Sequence, residues 1–216
     1  MRRLLLLAGS ALAALPTGAF AEAGDLLVRA RAVVIAPSDD ASDILPGLPG
    51  SSVDVDGAIV PELDFTYFIT DRIAAELILA TSNHDLSGTG GIEGLGDVAD
   101  VWVLPPTLTF QYHFLPDATV RPYVGVGVNY TVFYNAEASD SLVGALGETR
   151  IDVNESAGLA VQAGMDIDLN DTWFFNADVK FINIETEATL VSGNTINQID
   201  IDVNPVVFGL GFGRRF

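Results

Sequence analysis

The sequence predicts an all-β fold: an eight-stranded antiparallel transmembrane β-barrel with short periplasmic turns and long extracellular loops. Three observations lead to this prediction. Polar and apolar residues alternate through eight segments, tight turns and long acidic loops alternate between them, and 49% of the 216 residues are hydrophobic despite a formal net charge of −19. A disordered acidic chain would be poor in hydrophobic residues, so the composition indicates a folded protein.

The first 21 residues are predicted to be a cleaved signal peptide, and residues 22–216 to form the barrel. Arg2 and Arg3 give a basic start, followed by an apolar stretch from Leu4 to Leu15 that is too short to span a membrane. Ala19-Phe20-Ala21 has the small-x-small form of a cleavage site. No later segment has 18 consecutive apolar residues, so insertion into a membrane would depend on strands.

In each alternating segment nearly every second residue is apolar, as expected for a strand with one face towards lipid. The segments are 26–36, 59–69, 73–81, 103–114, 121–133, 156–168, 173–184 and 201–216. Tight turns at 70–72, 115–119 and 169–172 alternate with long loops at 37–57, 82–100, 134–152 and 187–200. A tilted strand needs about 9–11 residues to cross a bilayer, which these segments can supply.

Aromatic residues collect at both predicted membrane boundaries, which favours a membrane barrel over a soluble sandwich or a lipocalin-like barrel. The short-turn end carries Tyr67, Tyr112, Phe114, Trp173, Phe175 and Phe216, and the long-loop end carries Trp102, Tyr130 and Tyr134. The chain also stops on a strand whose alternate residues back from Phe216 are apolar at Phe212, Leu210 and Phe208, with Arg214 interrupting the series. This pattern resembles the C-terminal signal of bacterial outer-membrane proteins, so we expect Phe216 to contact the barrel-assembly machinery.

Several segments resemble the OmpW family of small outer-membrane barrels. They are Leu26–Arg31, Leu104–Phe114 with its Pro-Pro pair, Arg121–Thr131, Asp202–Gly209 and the Arg-Phe terminus. The resemblance implies a location in the outer membrane of a Gram-negative bacterium and a hydrophobic inner channel. Some relatives are associated with the uptake of small apolar molecules. Arg214 departs from the aromatic residue that is common at its position.

Inward positions in the periplasmic half carry charges of both signs. They include Arg29, Arg31, Glu62, Asp64, Glu76, Gln111, His113, Arg121, Asp178 and Lys180. An unpaired buried charge costs several kcal/mol, and an eight-stranded barrel has room only for side chains or one small ligand. These residues are therefore predicted to form a closed, salt-bridged plug.

Inward positions in the outer half are apolar and are predicted to line a hydrophobic channel for a small hydrophobic solute. They are Val33, Ile35, Val60, Ile78, Val101, Val103, Phe133, Ile182, Ile184, Val203 and Val207. The alternative is that these residues fill one another as an ordinary core. Five lumen-facing glycines are expected to keep the space free: Gly125, Gly127, Gly158, Gly209 and Gly211.

Five prolines lie inside predicted strands and cannot donate to the strand ladder. They are Pro61, Pro105, Pro106, Pro122 and Pro205. We expect a local break in the wall through which an apolar ligand passes sideways into the membrane. The alternative is that these prolines only set bulges and strand curvature.

Other functions find less support. Asp and Glu outnumber Lys and Arg by 29 to 10, which disfavours nucleic acid as a partner. With no cysteine and two histidines, no metal or cofactor site is expected. His84 has Ser82, Asp85 and Ser87 beside it, but sequence neighbours rarely form a catalytic triad, so no enzyme is predicted.

The outer loops allow a second class of function. Their acidic residues are expected to be solvated or to bridge through divalent cations to lipopolysaccharide, with outer-membrane lipid around the barrel. Gly88, Gly90, Gly91, Gly94 and Gly96 are expected to make the second loop flexible. The alternative function is therefore a surface receptor or adhesin on a structural stem with a filled lumen and no transport.

Overall fold

The computed structural model describes residues 22–38 and 40–216, and the predicted signal peptide lies outside these residues. They form fifteen strands, one α-helix, α1 (Asp140–Leu146), and a 3₁₀ helix at Glu93–Leu95. The strands are β1 (Leu26–Ala36), β2 (Asp40–Ala41), β3 (Ser51–Val55), β4 (Ala58–Phe68), β5 (Ile73–Ala80), β6 (Ser82–Gly90), β7 (Asp97–Leu104), β8 (Thr107–His113), β9 (Val120–Ala138), β10 (Thr149–Val153), β11 (Ser156–Asp168), β12 (Trp173–Ile182), β13 (Glu185–Ser192), β14 (Thr195–Asp202) and β15 (Val206–Arg215).

Eight of these strands close into an antiparallel barrel, which confirms the predicted fold class. The order around the wall is β1-β4-β5-β8-β9-β11-β12-β15. The barrel closes between the first and last strands, in register from Leu27↔Arg215 to Ala36↔Val206. Closure leaves no free strand edge in the wall, which is the requirement for spanning lipid with strands.

The outer surface of the barrel is apolar. Leu63, Phe110, Val126, Leu159 and Leu210 all point outward and are exposed. Such a continuous apolar band is unfavourable in water and is typical of a surface in contact with lipid. At its outer edge the rings of Trp102 and Tyr134 are 6.1 Å apart. At its periplasmic edge Tyr112 and Phe114 pack edge-to-face at 5.2 Å.

The long loops are built largely from further strands. One outer sheet has the order β3-β6-β7-β9, and the other has the order β10-β13-β14-β2. We call these two sheets the outer cup, because both extend the barrel wall away from the periplasm. Barrel pairing between β9 and β11 ends at Ser156↔Thr131, and further out β9 pairs with β7 while β10 pairs with β13.

The second loop was expected to be flexible, and this expectation is wrong. Residues 82–104 form a β6–β7 hairpin in register from Ser82↔Val103. Its glycines serve the geometry of the turn. Gly90 has a φ of +62°, and a Cβ there would lie 2.2 Å from the carbonyl oxygen of Gly50. Both the left-handed backbone and the close approach of Gly50, just before β3, therefore require glycine.

Candidate functional site

The periplasmic half of the lumen is filled by ion pairs centred on Arg29. This guanidinium lies 3.0 Å from Asp64 Oδ1, 3.0 Å from Glu76 Oε1 and 3.1 Å from Asp166 Oδ2. All four side chains are fully buried. A buried charge is tolerated only when it is paired and hydrogen-bonded, and Arg29 meets this condition from three strands at once.

A second layer lies further out, around Arg31 and Lys180. Arg31 NH2 is 2.8 Å from Glu62 Oε1 and 3.0 Å from Asp64 Oδ2. Lys180 Nζ bridges Glu62 Oε1 at 2.9 Å and Asp178 Oδ1 at 3.0 Å. The two layers share Asp64, so the charges form one network rather than separate pairs.

The periplasmic end is closed by aromatic rings and a third group of ion pairs. The ring of His113 lies between Phe68, at 4.7 Å, and Tyr123, at 5.1 Å, and its Nε2 is 3.1 Å from Gln111 Oε1. Arg121 pairs with Asp168. All ten residues predicted for the plug are buried and lie in this half of the lumen.

The lumen-facing glycines do not keep space free, contrary to expectation. A Cβ on Gly125 would lie 2.8 Å from Gln162 Cγ, and one on Gly209 would lie 3.3 Å from Arg31 Cδ. These long side chains occupy the space beside the glycines. At Gly127, Gly158 and Gly211 a Cβ would lie 2.0–2.1 Å from a neighbouring strand's carbonyl oxygen. These glycines therefore allow neighbouring strands to approach closely.

An apolar cavity with a volume of about 110 Å³ lies directly outside the plug. Eight residues of the predicted channel lining border it: Ile35, Val101, Val103, Phe133, Ile182, Ile184, Val203 and Val207. Val33 and Val60 pack with Ile182 and Val207 towards the plug. Ile78 is buried but does not border the cavity.

The outer part of the cavity lining comes from the cup, which sequence reasoning missed. The cup residues in the lining include Ile44, Val53, Ile92, Val98, Leu142, Leu190, Ile199 and Ile201. All of these residues except Ile201, which was assigned to the last predicted strand, belong to segments that were assigned to long acidic loops. A signal was nevertheless present, because Ala188, Leu190 and Ile199, Ile201 continue the period of two among polar neighbours.

Two polar side chains in the lining, Ser82 and His84, satisfy each other. Ser82 Oγ is 2.8 Å from His84 Nε2, and His84 Nδ1 is 2.7 Å from the carbonyl oxygen of Asp56. A carbonyl can only accept, so Nδ1 donates to it, and Nε2 of the neutral ring accepts from the serine hydroxyl. The imidazole is thus oriented by a main-chain carbonyl rather than by a carboxylate, and its polarity is hidden from the cavity.

Four of the five prolines leave the wall continuous. β5–β8 pairing ends at Ile78↔Thr107 and resumes in the same register at Ser82↔Val103, and Asn129 Nδ2 donates to the Pro105 carbonyl at 3.1 Å. The carbonyl oxygens of Pro106, Pro122 and Pro205 accept from Tyr130, Phe114 and Ile182. The predicted break in the wall is therefore wrong at these four positions.

Pro61 lies where the wall changes register. β4–β5 pairing ends at Glu62↔Ala80, and pairing of β3 with β6 starts at Val55↔Leu86. The Asp56 amide also donates to the Asp85 carbonyl at 3.0 Å. Five residues, 57–61, therefore face four residues, 81–84, in a stretch that we call the Pro61 seam. Among the described residues, two hydrogen bonds close this seam at its outer end: the one from the Asp56 amide to the Asp85 carbonyl, and one that His84 Nδ1 donates to the Asp56 carbonyl.

A second register change lies between β11–β12 and β10–β13, and it is better closed. The Glu185 amide donates to Ser156 Oγ at 3.1 Å, and Thr186 Oγ1 donates to the Asn154 carbonyl at 2.6 Å. Asn183 also donates from its backbone to Leu159. The Pro61 seam is consequently the more weakly bridged of the two.

Four acidic residues of β13 and β14 do not border the cavity: Glu185, Glu187, Asp200 and Asp202. Glu185 faces Asp202 and Glu187 faces Asp200 across β13 and β14. Like charges opposite each other weaken strand pairing. Within residues 22–38 and 40–216, no three His, Asp or Glu side chains are arranged to hold a metal ion.

An eight-stranded barrel with an apolar outer band, aromatic boundaries and a lumen divided into a charged and an apolar half defines a small outer-membrane β-barrel protein. The OmpW family profile matches residues 22–216. The chain belongs to this family, and it is a protein of the Gram-negative outer membrane.

Relatives and solved structures agree with this assignment. The chain is 38% identical over 210 residues to outer membrane protein W of Vibrio cholerae, covering 96% of this chain and 95% of that protein. It is 26% identical over 170 residues to the dibenzothiophene metabolism operon protein PahQ of Pseudomonas aeruginosa, covering 78% and 77%. The crystal structure of OprG from Pseudomonas aeruginosa matches with a TM-score of 0.86 at 32% identity, covering 93% and 99%.

Proposed function

We propose that this barrel forms a narrow hydrophobic channel for the passive uptake of small apolar molecules, with lateral exit into the membrane. The observation that carries the proposal is the apolar cavity directly outside a filled, salt-bridged plug. A molecule that reaches the cavity from outside meets aliphatic side chains around it and charges below it. Its favourable way out is therefore sideways into lipid.

The size and chemistry of the cavity support a small apolar ligand. An engineered cavity of about 150 Å³ lined by aliphatic and aromatic residues stays dry and binds benzene. The cavity in this barrel, at about 110 Å³, is of the same order and has a similar lining. The name of PahQ connects a relative with dibenzothiophene, an apolar aromatic compound, which agrees with this class of solute.

The Pro61 seam supports the lateral part of the proposal. Ser82 and His84 border the cavity on one side of the seam. On the lipid side, Ile59 is 75% exposed and gives the seam an apolar outer edge. Thr81 Oγ1 lies 2.7 Å from the hydroxyl of Tyr134, so the seam begins at the level of the outer aromatic boundary. A solute leaving here would enter the outer leaflet.

Uptake of naphthalene into vesicles with a lipopolysaccharide outer leaflet tests the channel. Val103→Phe adds a ring to the cavity wall, and Val126→Phe makes the same change on the lipid-facing surface. We expect Val103→Phe to reduce uptake to the rate of vesicles without protein and Val126→Phe to leave it unchanged. Equal uptake by the wild type and both variants would contradict the channel and favour a structural stem.

A further inference from the structure

Two connecting segments of the cup border the cavity on its outer side. Residues 42–50 connect β2 to β3, and residues 139–148, which contain α1, connect β9 to β10 and contact β7 and β10. Each segment inserts one fully buried aliphatic side chain into the apolar cluster of the cup. Ile44 and Leu142 are each 2% exposed, and both border the cavity.

The 42–50 segment is fixed to β14 by backbone hydrogen bonds. Leu45 and Gln198 exchange two of them, at 3.0 and 2.8 Å, and the Ser42 amide donates to the Asp200 carbonyl at 2.9 Å. The Gly47 amide also donates to Asn197 Oδ1 at 2.7 Å. To move this segment, several hydrogen bonds would have to break together.

The α1 segment is attached differently. The Ser139 amide donates to the Val98 carbonyl at 2.9 Å at one end, and β10 begins at Thr149 at the other end. In between, the hydrogen bonds found among the described residues stay within the segment, such as the Leu142 amide to Ser139 Oγ, or come from the adjoining Thr149 to the Gly147 carbonyl. Leu142 is the one buried side chain of α1. Leu146 packs against the same apolar cluster but is only partly buried. The helix is therefore held to the cup by these two side chains, of which Leu142 is the more deeply buried.

The sequence of α1 is suited to movement. An isolated helix of seven residues is far below the length that is stable in water, so α1 depends on packing to stay in place. Gly147 ends it with a φ of +84°, and a Cβ on Gly144 or Gly147 would contact nothing within 4 Å. A segment with few buried contacts and open space around its glycines opens at low free-energy cost.

We propose that α1 is a hinged lid over the entrance of the cavity, with Leu142 as its anchor, while the 42–50 segment stays closed. Withdrawal of Leu142 uncovers the side of the cavity that Phe133, Ala136, Ile151 and Val153 border. The solute that uses this entrance is the small apolar molecule of the proposed function, and to that extent the lid rests on it. The movement of the lid does not depend on transport.

The natural absence of cysteine allows a direct test. We would make two single-cysteine variants, Leu142→Cys and Ile44→Cys, place each in lipid nanodiscs and measure reaction with a small hydrophilic thiol reagent. Ala145→Cys, on the exposed face of α1, gives the rate of an accessible thiol. We expect Leu142→Cys to react about tenfold faster than Ile44→Cys and more slowly than Ala145→Cys. Equal rates for Leu142→Cys and Ile44→Cys would contradict the proposal that α1 is a mobile lid.

Naphthalene uptake separates this proposal from the channel. We expect Leu142→Ala to increase uptake relative to wild type and Ile44→Ala to leave it near the wild-type rate. If the two thiol rates differ but the wild type takes up no naphthalene, the result supports a mobile lid and contradicts the channel. If uptake occurs and the two thiol rates are equal, the result supports the channel and contradicts the lid.

Discussion

The two halves of the lumen share one wall but are filled in opposite ways. In the periplasmic half, Arg29, Arg31 and Lys180 reach across the lumen and meet carboxylates from several strands. In the outer half, Val103 and Ile184 occupy equivalent inward positions and leave a cavity. An eight-stranded barrel is just wide enough for side chains to fill it. The length of the inward side chain therefore decides whether a level of the barrel is closed or open.

The two halves also differ in where their polar side chains find hydrogen-bond and ion-pair partners. Plug residues have partners on several other strands, so removing one leaves others unpaired. The polar pair in the cavity wall, Ser82 and His84, lies on one strand and is complete without other cavity residues. The plug should therefore be sensitive to single substitutions, and the cavity tolerant of them.

The largest expected effect is that of Arg29→Met. The substitution leaves Asp64, Glu76 and Asp166 buried beside an apolar side chain. Breaking a buried ion pair in this way costs about 3–5 kcal/mol. Urea unfolding in lipid vesicles, followed by tryptophan fluorescence, measures the loss.

Arg150→Met is the matched control, because the Arg150 side chain is 78% exposed in its pair with Asp152. A surface pair of this kind contributes about 0–1 kcal/mol. If Arg29→Met cost no more than Arg150→Met, the plug would not be the tightly coupled network that its geometry indicates.

A smaller effect is expected from Ile184→Ala in the cavity wall. Aliphatic truncation in a core costs about 2–5 kcal/mol. Ile184 already borders open space, so its loss should lie near the lower limit, about 2 kcal/mol. The same unfolding experiment checks this value, with the lipid-facing Ile59→Ala as control. A cost as large as that of Arg29→Met would indicate that the outer half is a filled core.

The smallest effect is expected from His84→Leu at the Pro61 seam. This variant keeps an apolar side chain of similar volume but removes the hydrogen bond to the Asp56 carbonyl. A net hydrogen bond contributes about 1 kcal/mol, which corresponds to roughly a fivefold change in an opening equilibrium. We expect faster naphthalene uptake and an almost unchanged unfolding midpoint. Uptake at the wild-type rate would place the exit elsewhere in the wall.

Much of the barrel could be predicted from the sequence, because strand parity is a local property. Alternation around residues such as Val126 and Leu210 is enough to identify eight strands and their lipid-facing side. The same parity selects the inward charges and most of the cavity lining. These features can be predicted without knowing which strands are neighbours in the barrel.

Features that depend on distant segments could not be predicted. The change of register at Pro61 exists because β5 and β6 pair with different parts of the chain before it, and nothing in residues 57–61 alone indicates it. The cup was missed because charged residues surround its aliphatic ones, as at Ile199 and Ile201. The role of Gly125 was misread because Gln162, on the neighbouring strand, fills the space beside it.

The plug also bears on how many copies of this protein a cell can carry. An ion entering the cup would have to displace Arg31 and Lys180 from Glu62 and then break the network around Arg29. Each copy should therefore conduct ions far less than a water-filled porin does. A cell could make this protein abundantly without weakening the permeability barrier that excludes hydrophilic toxins and retains periplasmic solutes.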